Sequence, residues 1–499
     1  MTRIGSAQQS VLLREIANNR TEMNDLQRQI SSGKVADTYG GLGSERSMAL
    51  SLRSEKSDIE GYRNTITLVQ TRVKVMDVAV DHMRKNASDM SSQLIVSGYE
   101  PTDTGQTLAQ QQAGARLADT VDLLNTEVGG RSLFAGTKTD ELPVVPPKEM
   151  LDGAGNKAGF RQIMDERHQA DMGADGKGRL ALSASGTTGI ALAEDVAGSP
   201  FGFKLAGLRT DLTGVTTTGP TGTPAGISVD FSVTPPVAGE KVFISLALPD
   251  GTTTELELTA KSSGEIGSGE FLIGADAATT ATNFQNALGS LLEKEAQTSL
   301  SAASMQAAAD DFFTSGPNKA QRVDGPPFDS ASGLRDATAT DTVDWYRGER
   351  STTSARETAV ARIDDNRLVA YGARADEEAF STMIKQFAIM TSATFDSAGE
   401  NDQARYTEMS DRVRGTLSNS ENSKSIDRVI GELAIAQNSL GEADKRHISS
   451  DNMATNFLAE IETADINEAA AKLLTMQTQL QASYQVTAML SKLSLANFL

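Results

Sequence analysis

Cysteine is absent from all 499 residues of the chain. Without cysteine the chain can form no disulfide, no thiolate metal site and no cysteine nucleophile. A reducing compartment is one explanation of this absence. The other is a secreted protein that has to remain an unlinked chain during export, and a chain of this length favours the second explanation.

Aromatic residues and histidine are also scarce. Aromatic residues make up 5% of the chain, and the only histidines are His82, His168 and His447. No His-Glu-x-x-His pair occurs among them, which excludes a zinc-protease insert of that type. Carboxylates are so abundant that chance pairs carry no catalytic meaning. The sequence therefore predicts no catalytic residue, no metal and no cofactor, so the protein is not expected to be an enzyme.

Basic charge is outweighed by acidic charge, because the formal net charge is −20 and the pI is about 4.7. Binding to nucleic acid or to an anionic membrane is therefore opposed electrostatically, and neither is expected as a partner. No apolar run reaches the roughly 18 residues that a membrane span needs. Residues 1–10 lack the basic and apolar regions of a cleaved signal, so export would use an uncleaved terminus.

The most regular pattern in the chain is an apolar repeat from Ile59 to Leu94, on a helix predicted at about residues 44–97. Its members recur at alternating steps of three and four residues, which is the heptad seam of a coiled coil held for about five repeats. A helix of this length extends roughly 80 Å. The predicted inter-helix seam consists of Ile59, Tyr62, Ile66, Val69, Val73, Met76, Val80, Met83, Met90 and Leu94.

Both chain ends carry further amphipathic stripes. The N-terminal stripe stops at a Ser-Ser-Gly sequence, where glycine suits a helix C-cap, and the final segment from residue 473 has one lysine and no acidic residue. Such exposed stripes would aggregate unless they packed on each other and on neighbouring subunits. Head-to-tail contacts of that kind build helical polymers. The predicted terminal stripe comprises Leu12, Ile16, Met23, Leu26, Leu473, Met476, Leu480, Leu490, Leu493 and Phe498.

The middle of the chain, from about residue 140 to 341, is rich in Gly, Thr, Ser, Ala and Pro. Alternating apolar residues on either side of a Pro-Asp-Gly turn at 249–251 predict a β-hairpin, and a helix is predicted at 276–295. A second hairpin is predicted to turn at 364–366. Proline-rich stretches at 143–147 and 325–327 suggest linkers, so the middle domain is expected to face outward and to be dispensable for assembly.

Together these patterns predict a mainly α fold, in which both chain ends form a long coiled-coil helical bundle and an α+β, β-rich domain is inserted in the middle. The predicted parts are an N-terminal polymer-core helix and link at 1–43, the first half of a helical rod at 44–140, the inserted domain at 141–340, a hairpin with the second half of the rod at 341–464, and a C-terminal polymer-core helix at 465–499.

Three segments resemble the bacterial flagellin family. Residues 26–34 read Leu-Gln-Arg-Gln-Ile-Ser-Ser-Gly-Lys, and residues 466–485 begin Ile-Asn-Glu-Ala-Ala-Ala-Lys-Leu-Leu. They are similar to the family's N-terminal region and terminal helix. Residues 130–136 read Gly-Arg-Ser-Leu-Phe-Ala-Gly, which is similar to a signature of the family's hook–filament junction branch. The similar regions cover roughly residues 1–140 and 345–499.

Departures from the filament-forming branch favour the junction branch. The chain has Arg-Ile-Gly-Ser at 3–6 where filament flagellins are Asn-rich, and Tyr-Gly-Gly-Leu-Gly-Ser at 39–44 where they have Asp-Asp-Ala-Ala-Gly. The resemblance implies a structural subunit that joins hook to filament by helical polymerisation. It also implies other hook-associated proteins, flagellin and an export chaperone as partners, with type III export to the extracellular flagellum.

Two alternatives stay open. A filament-forming flagellin is the first, because an insert of about 200 residues is large for a junction protein. The second is another type III-exported coiled-coil adhesin or translocon-type protein, which would share the helical rods. That class would not share all three of the similar segments.

Overall fold

Helices dominate the computed structural model, which describes residues 2–496, and the side chains of residues 10–489 except those of Leu12, Ser420 and Asn422. Helix accounts for 53% of the chain, with long terminal helices and a β-rich central region. The predicted fold class, a mainly α fold with an inserted α+β domain, is thereby confirmed.

The chain divides into two compact units, which do not follow the five predicted segments. The first unit comprises Met1–Gln70, Ala361–Val369 and Asn438–Leu499, and the second comprises Thr71–Val360 and Ala370–Gln437. The division into five functional segments therefore stays a prediction.

Four long helices carry the apolar stripes of the chain ends. The first ends where Gly33 adopts a φ of +68°, a conformation that favours glycine. A short 3₁₀ turn, Tyr39–Glu45, precedes the second helix. The four helices are α1 (Thr2–Ser32), α2 (Arg46–Val96), α10 (Ser420–Glu462) and α11 (Ile466–Ala496).

Seven shorter helices lie in the second unit. Helix α3 (Leu108–Leu124) begins with a capping box, in which the hydroxyl of Thr107 accepts from the backbone of Gln110 and the Gln110 side chain accepts from the backbone of Thr107. A π turn (Ala296–Leu300) joins α6 to α7. The remaining helices are α4 (Pro147–Asp152), α5 (Phe160–Met172), α6 (Ala277–Glu295), α7 (Ser301–Phe312), α8 (Glu378–Ser392) and α9 (Asp402–Ser418).

Two four-stranded sheets share one hydrophobic core with α6. Their strand orders are β1-β2-β5-β4 and β3-β6-β7-β8, and only the β7–β8 pairing is parallel. The core includes Leu192, Ile244 and Phe284, from the two sheets and the helix. The strands are β1 (Leu180–Ser185), β2 (Gly189–Glu194), β3 (Lys204–Thr210), β4 (Val215–Thr221), β5 (Gly226–Phe231), β6 (Lys241–Ala247), β7 (Thr253–Lys261) and β8 (Glu270–Leu272).

The first predicted hairpin is formed by β6 and β7. Their register pairs Val242 with Leu258 and Ile244 with Leu256, so the alternating apolar residues enter the core. Two smaller strand pairs follow. They are β9 (Gln321–Val323) with β10 (Leu334–Asp336), and β11 (Val360–Asp364) with β12 (Arg367–Ala370). The turn predicted at 364–366 lies between β11 and β12.

The segment at 143–147 is not the exposed linker that its prolines suggested. Val144 and Val145 are each only 1% exposed. The backbone N–H of Val145 donates to the carbonyl of Trp345 at 3.1 Å, and Val144 forms a β-bridge with Tyr346. The two valines between Pro143 and Pro146 are therefore buried in the core.

Candidate assembly surface on the terminal helices

Helices α1 and α11 pack on each other in the first unit. Their contact includes a small apolar cluster in which Leu26, Ala469 and Met476 are buried. Ile30 and Leu473 pack against this cluster from the sides. The N-terminal and C-terminal stripes therefore share a core, although residues 26 and 476 lie at opposite ends of the chain.

The Ser-Ser-Gly turn that ends α1 is joined by backbone hydrogen bonds to the turn between α10 and α11. The N–H of Val35 donates to the backbone carbonyl of Glu462 at 2.8 Å, and the N–H of Ala464 donates to the backbone carbonyl of Gly33 at 3.0 Å. Lys34 and Thr463 form an isolated β-bridge. This pairing holds the end of α1 against the start of α11. The Ser-Ser-Gly segment that resembles the flagellin family therefore joins the two terminal helices.

Ion pairs connect α2 with α10 beside this turn. Arg53 forms two hydrogen bonds with the carboxylate of Glu462, at 2.7 and 2.9 Å, and Lys56 pairs with Asp451 at 2.6 Å. The hydrogen bonds from Arg53 lower the pKa of the Glu462 carboxyl below its usual range. These side chains are partly exposed, so each pair contributes at most about 1 kcal/mol, and they set the register of the helices more than their stability.

A buried histidine holds the β11–β12 hairpin in the first unit. Nε2 of His447 lies 2.7 Å from the carbonyl oxygen of Ile363. The His447 ring stacks on Tyr62 with 5.5 Å between ring centroids. The Tyr62 hydroxyl donates to Asp365 at 2.9 Å. The sequence did not predict this cluster. No spacing signal could have found it, because its members come from three distant segments.

Replacing His447 with phenylalanine is expected to lower the free energy of unfolding by about 1–3 kcal/mol. The new ring preserves the stacking, but the carbonyl of the buried Ile363 loses its donor. Chemical denaturation measures the effect. His82→Phe is the control, since His82 is exposed and its replacement should change stability by no more than about 0.5 kcal/mol. Equal midpoints for the two variants would show that the hydrogen bond has no structural role.

Nine of the ten predicted seam residues are buried, and Tyr62 is half-buried. Ile59, Ile66 and Val69 belong to the first unit with Tyr62. In the second unit Arg116 of α3 lies 3.7 Å from Asp89 of α2, beside the seam. The second-unit members are Val73, Met76, Val80, Met83, Met90 and Leu94.

The predicted terminal stripe is buried at some positions and half-buried at others. Ile16, Leu26, Met476 and Leu480 are buried, with exposures between 7% and 9%. Met23 and Leu473 are half-buried. The four other predicted positions lie outside the described residues: the side chains of Leu12, Leu490 and Leu493, and Phe498 altogether.

The outward faces of both terminal helices carry large apolar side chains, which the sequence analysis did not single out. Leu13 is 59% exposed, Leu474 is 65% exposed and Met489 is 63% exposed. Exposed apolar surface of this extent is typical of an interface. Further members on the same two helices are Val11, Ile466, Tyr484 and Val486.

Within residues 2–496 no group of three His, Cys, Asp or Glu side chains is arranged to hold a metal ion. None of the described helices is long and apolar enough to cross a membrane.

Residues 6–139 match the family model of the bacterial flagellin N-terminal helical region. No match was found among curated proteins. The matched region contains most of α1, all of α2 and α3, and the segment 130–136. Flagellins are structural, non-enzymatic components of the extracellular flagellum that polymerise helically. The similarity to bacterial flagellins thus covers residues 6–139 and rests on this N-terminal helical region.

Proposed function

We propose that this protein is the subunit that joins hook to filament in the bacterial flagellum, of the type called hook-associated protein 3. The observation that supports this proposal is the outward apolar face on the packed pair α1–α11. These helices lie at the two ends of a chain that matches a flagellin N-terminal region. A lone subunit leaves this face in water. Neighbouring copies in a helical assembly bury it, and the family's mode of polymerisation supplies those neighbours.

The junction role, as distinct from the filament role, is supported by the segment Gly-Arg-Ser-Leu-Phe-Ala-Gly at 130–136. Phe134 is fully buried and meets Phe380 of α8 edge to face, with 5.7 Å between ring centroids. Ala135 forms a β-bridge with Arg374. The segment thus anchors the chain after α3 to the part of the chain that follows the inserted domain. The sequences at 3–6 and 39–44, which depart from the filament pattern, support the same role.

Other hook-associated proteins and flagellin are the proposed neighbours, and the proposed route to them is type III export without a cleaved signal. Before export the apolar face has to be kept from self-association. A groove on an export chaperone would bury the amphipathic helix α11 in the usual helix-in-groove mode. The same residues would later pack against neighbouring subunits.

Immunogold labelling of intact flagella tests the junction role. Gold particles are expected at the boundary between hook and filament, because a junction subunit forms a short ring there. Labelling along the whole filament would contradict the junction role and identify the filament-forming flagellin as the correct alternative. The insert of about 200 residues is the observation that favours that alternative.

The part of the inserted domain that carries the two four-stranded sheets, residues 174–296, is proposed to face outward and to be dispensable for assembly. Its removal should preserve α5 and α7, which pack on each other. Met172, at the end of α5, and Gln297, before α7, line one small cavity, so a short Gly-Ser linker can join the chain there. Deletion of 174–296 removes both four-stranded sheets and α6 and avoids the buried Val144–Val145 segment.

The variant lacking 174–296 is expected to be exported and incorporated into the flagellum, at a level close to that of the full chain. Immunoblots of sheared flagella measure incorporation. Deletion of 141–340, which also removes the buried Val144–Val145 segment that hydrogen-bonds to Trp345, serves as the comparison and is expected to misfold. A folded, exported 174–296 deletion that fails to assemble would show that the inserted domain is needed.

A further inference from the structure

A cleft of about 330 Å³ lies in the second unit, beside the segment 130–136. Its walls come from α2, from 131–139, and from the chain on either side of the β11–β12 hairpin. The polar lining includes Arg72, Arg131, Thr137, Thr139 and Thr358. None of the described lining residues is acidic. This is unusual for a chain with a net charge of −20.

Both arginines of the cleft lack a carboxylate partner. Arg72 is half-buried and donates through Nη1 to the Tyr371 hydroxyl at 3.3 Å, and its buried Nε has no hydrogen-bond partner among the described residues. Arg131 donates through Nε to the Thr139 hydroxyl at 3.1 Å. Neither forms a salt bridge within the described chain, whereas most other arginines here do. A buried guanidinium nitrogen without an acceptor is costly unless a water or an ion supplies one.

Close backbone approach shapes two walls of the cleft. Gly136 has a φ of +66°, and a Cβ there would lie 2.9 Å from the Glu349 side chain. A Cβ on Gly372 would lie 2.3 Å from the Thr358 hydroxyl oxygen. Glu349, which borders the first wall, is already engaged, because its carboxylate accepts from the backbone and the hydroxyl of Thr137 at 2.9 and 2.7 Å. The cleft is therefore preformed. The nearby carboxylate of Glu349 accepts hydrogen bonds from Thr137 and not from the two arginines.

We propose that this cleft binds an oxyanion, held by the guanidinium groups of Arg72 and Arg131. Guanidinium groups match phosphate and carboxylate oxygens in geometry and in charge. The cleft volume lies within the range of ligand sites. The oxyanion has two sources with the same chemistry: a free anion such as inorganic phosphate, or an aspartate or glutamate side chain of a neighbouring copy.

Isothermal titration calorimetry of the full chain with inorganic phosphate, at constant ionic strength in chloride, tests the site. Saturable binding of one phosphate per chain is expected. Arg72→Gln and Arg131→Gln should each weaken this binding at least about tenfold, since each removes a charge-assisted hydrogen bond. Arg131 is exposed, so its variant is expected to fold normally and keeps the test valid if Arg72→Gln destabilises the chain.

Arg84→Gln is the matched control. Arg84 lies on the same helix as Arg72 and pairs with Asp81 at 2.7 Å, so its loss lowers the net charge equally without touching the cleft. Phosphate affinity of this variant should equal that of the parent chain. The proposal is overturned if the parent shows no saturable binding, or if Arg84→Gln weakens binding as much as the cleft variants do.

A second measurement, which rests on the proposed assembly, separates the two sources of the oxyanion. If a neighbour's carboxylate occupies the cleft, phosphate competes with polymerisation of the parent chain in sedimentation assays, and Arg131→Gln polymerises less than Arg84→Gln. If the anion is free, both variants polymerise as the parent does, with or without phosphate. Either result, added to saturable binding, supports the site.

Discussion

Replacing Val73 with aspartate is expected to lower the free energy of unfolding by about 3–5 kcal/mol. Val73 is only 1% exposed and lies in the seam of α2 between Val69 and Met76, which are buried as well. A carboxylate at this position loses its water without gaining a partner. Because a whole domain is stable by only about 5–15 kcal/mol, the variant should unfold at a much lower urea concentration.

Val78→Asp is the matched control for this substitution. It introduces the same side chain into the same helix five residues later, where the valine is 54% exposed. Its stability should lie within about 0.5 kcal/mol of the parent chain. Urea denaturation followed by circular dichroism measures both variants. If the two melt alike, the heptad assignment of α2 is wrong.

Truncation after Asp465 is expected to abolish both incorporation into the flagellum and binding of the export chaperone. It removes α11, and with it the partner of α1 in the apolar cluster around Leu26 and Met476. The helical rod at 44–130 should remain folded, as circular dichroism of the purified fragment would show. A truncated chain that still joined the flagellum would assign the terminal stripe another purpose.

Leu474→Asp separates the loss of an assembly surface from the loss of a helix. Leu474 is 65% exposed, so an aspartate there should leave the monomer folded while placing a charge in the proposed interface. Polymerisation should fall sharply. Gln477→Asp adds the same charge at another exposed position of α11 and should assemble nearly as well as the parent. Equal polymer yields for the two variants would place the interface elsewhere.

Long helices and the main hairpin could be predicted from sequence because their residues repeat with a fixed period. The three/four spacing of α2 and the two-residue alternation of β6 each reflect one buried face and one exposed face. Helices α7 and α8 escaped prediction. Both are buried over most of their surface, as Ala308 and Phe387 illustrate, so no polar face reveals the helical period.

The parts of the two sites that sequence reasoning missed depend on contacts between distant segments. His447, Tyr62 and Asp365 meet only after folding, and so do Arg72 and Arg131. Each residue alone is an ordinary polar side chain at an unremarkable position. The prolines at 143 and 146 led to a wrong prediction. Local composition suggested a linker, but the two valines between them are buried.

Electron microscopy of cells that lack this gene tests the proposed junction role at its root, in the assembled flagellum. Without the subunit that joins hook to filament, flagellin has no surface on which to polymerise at the hook. We expect cells whose hooks carry no filaments, with filaments restored by the intact gene. Cells with normal flagella would contradict the assignment of this chain to the flagellum as its hook–filament junction subunit.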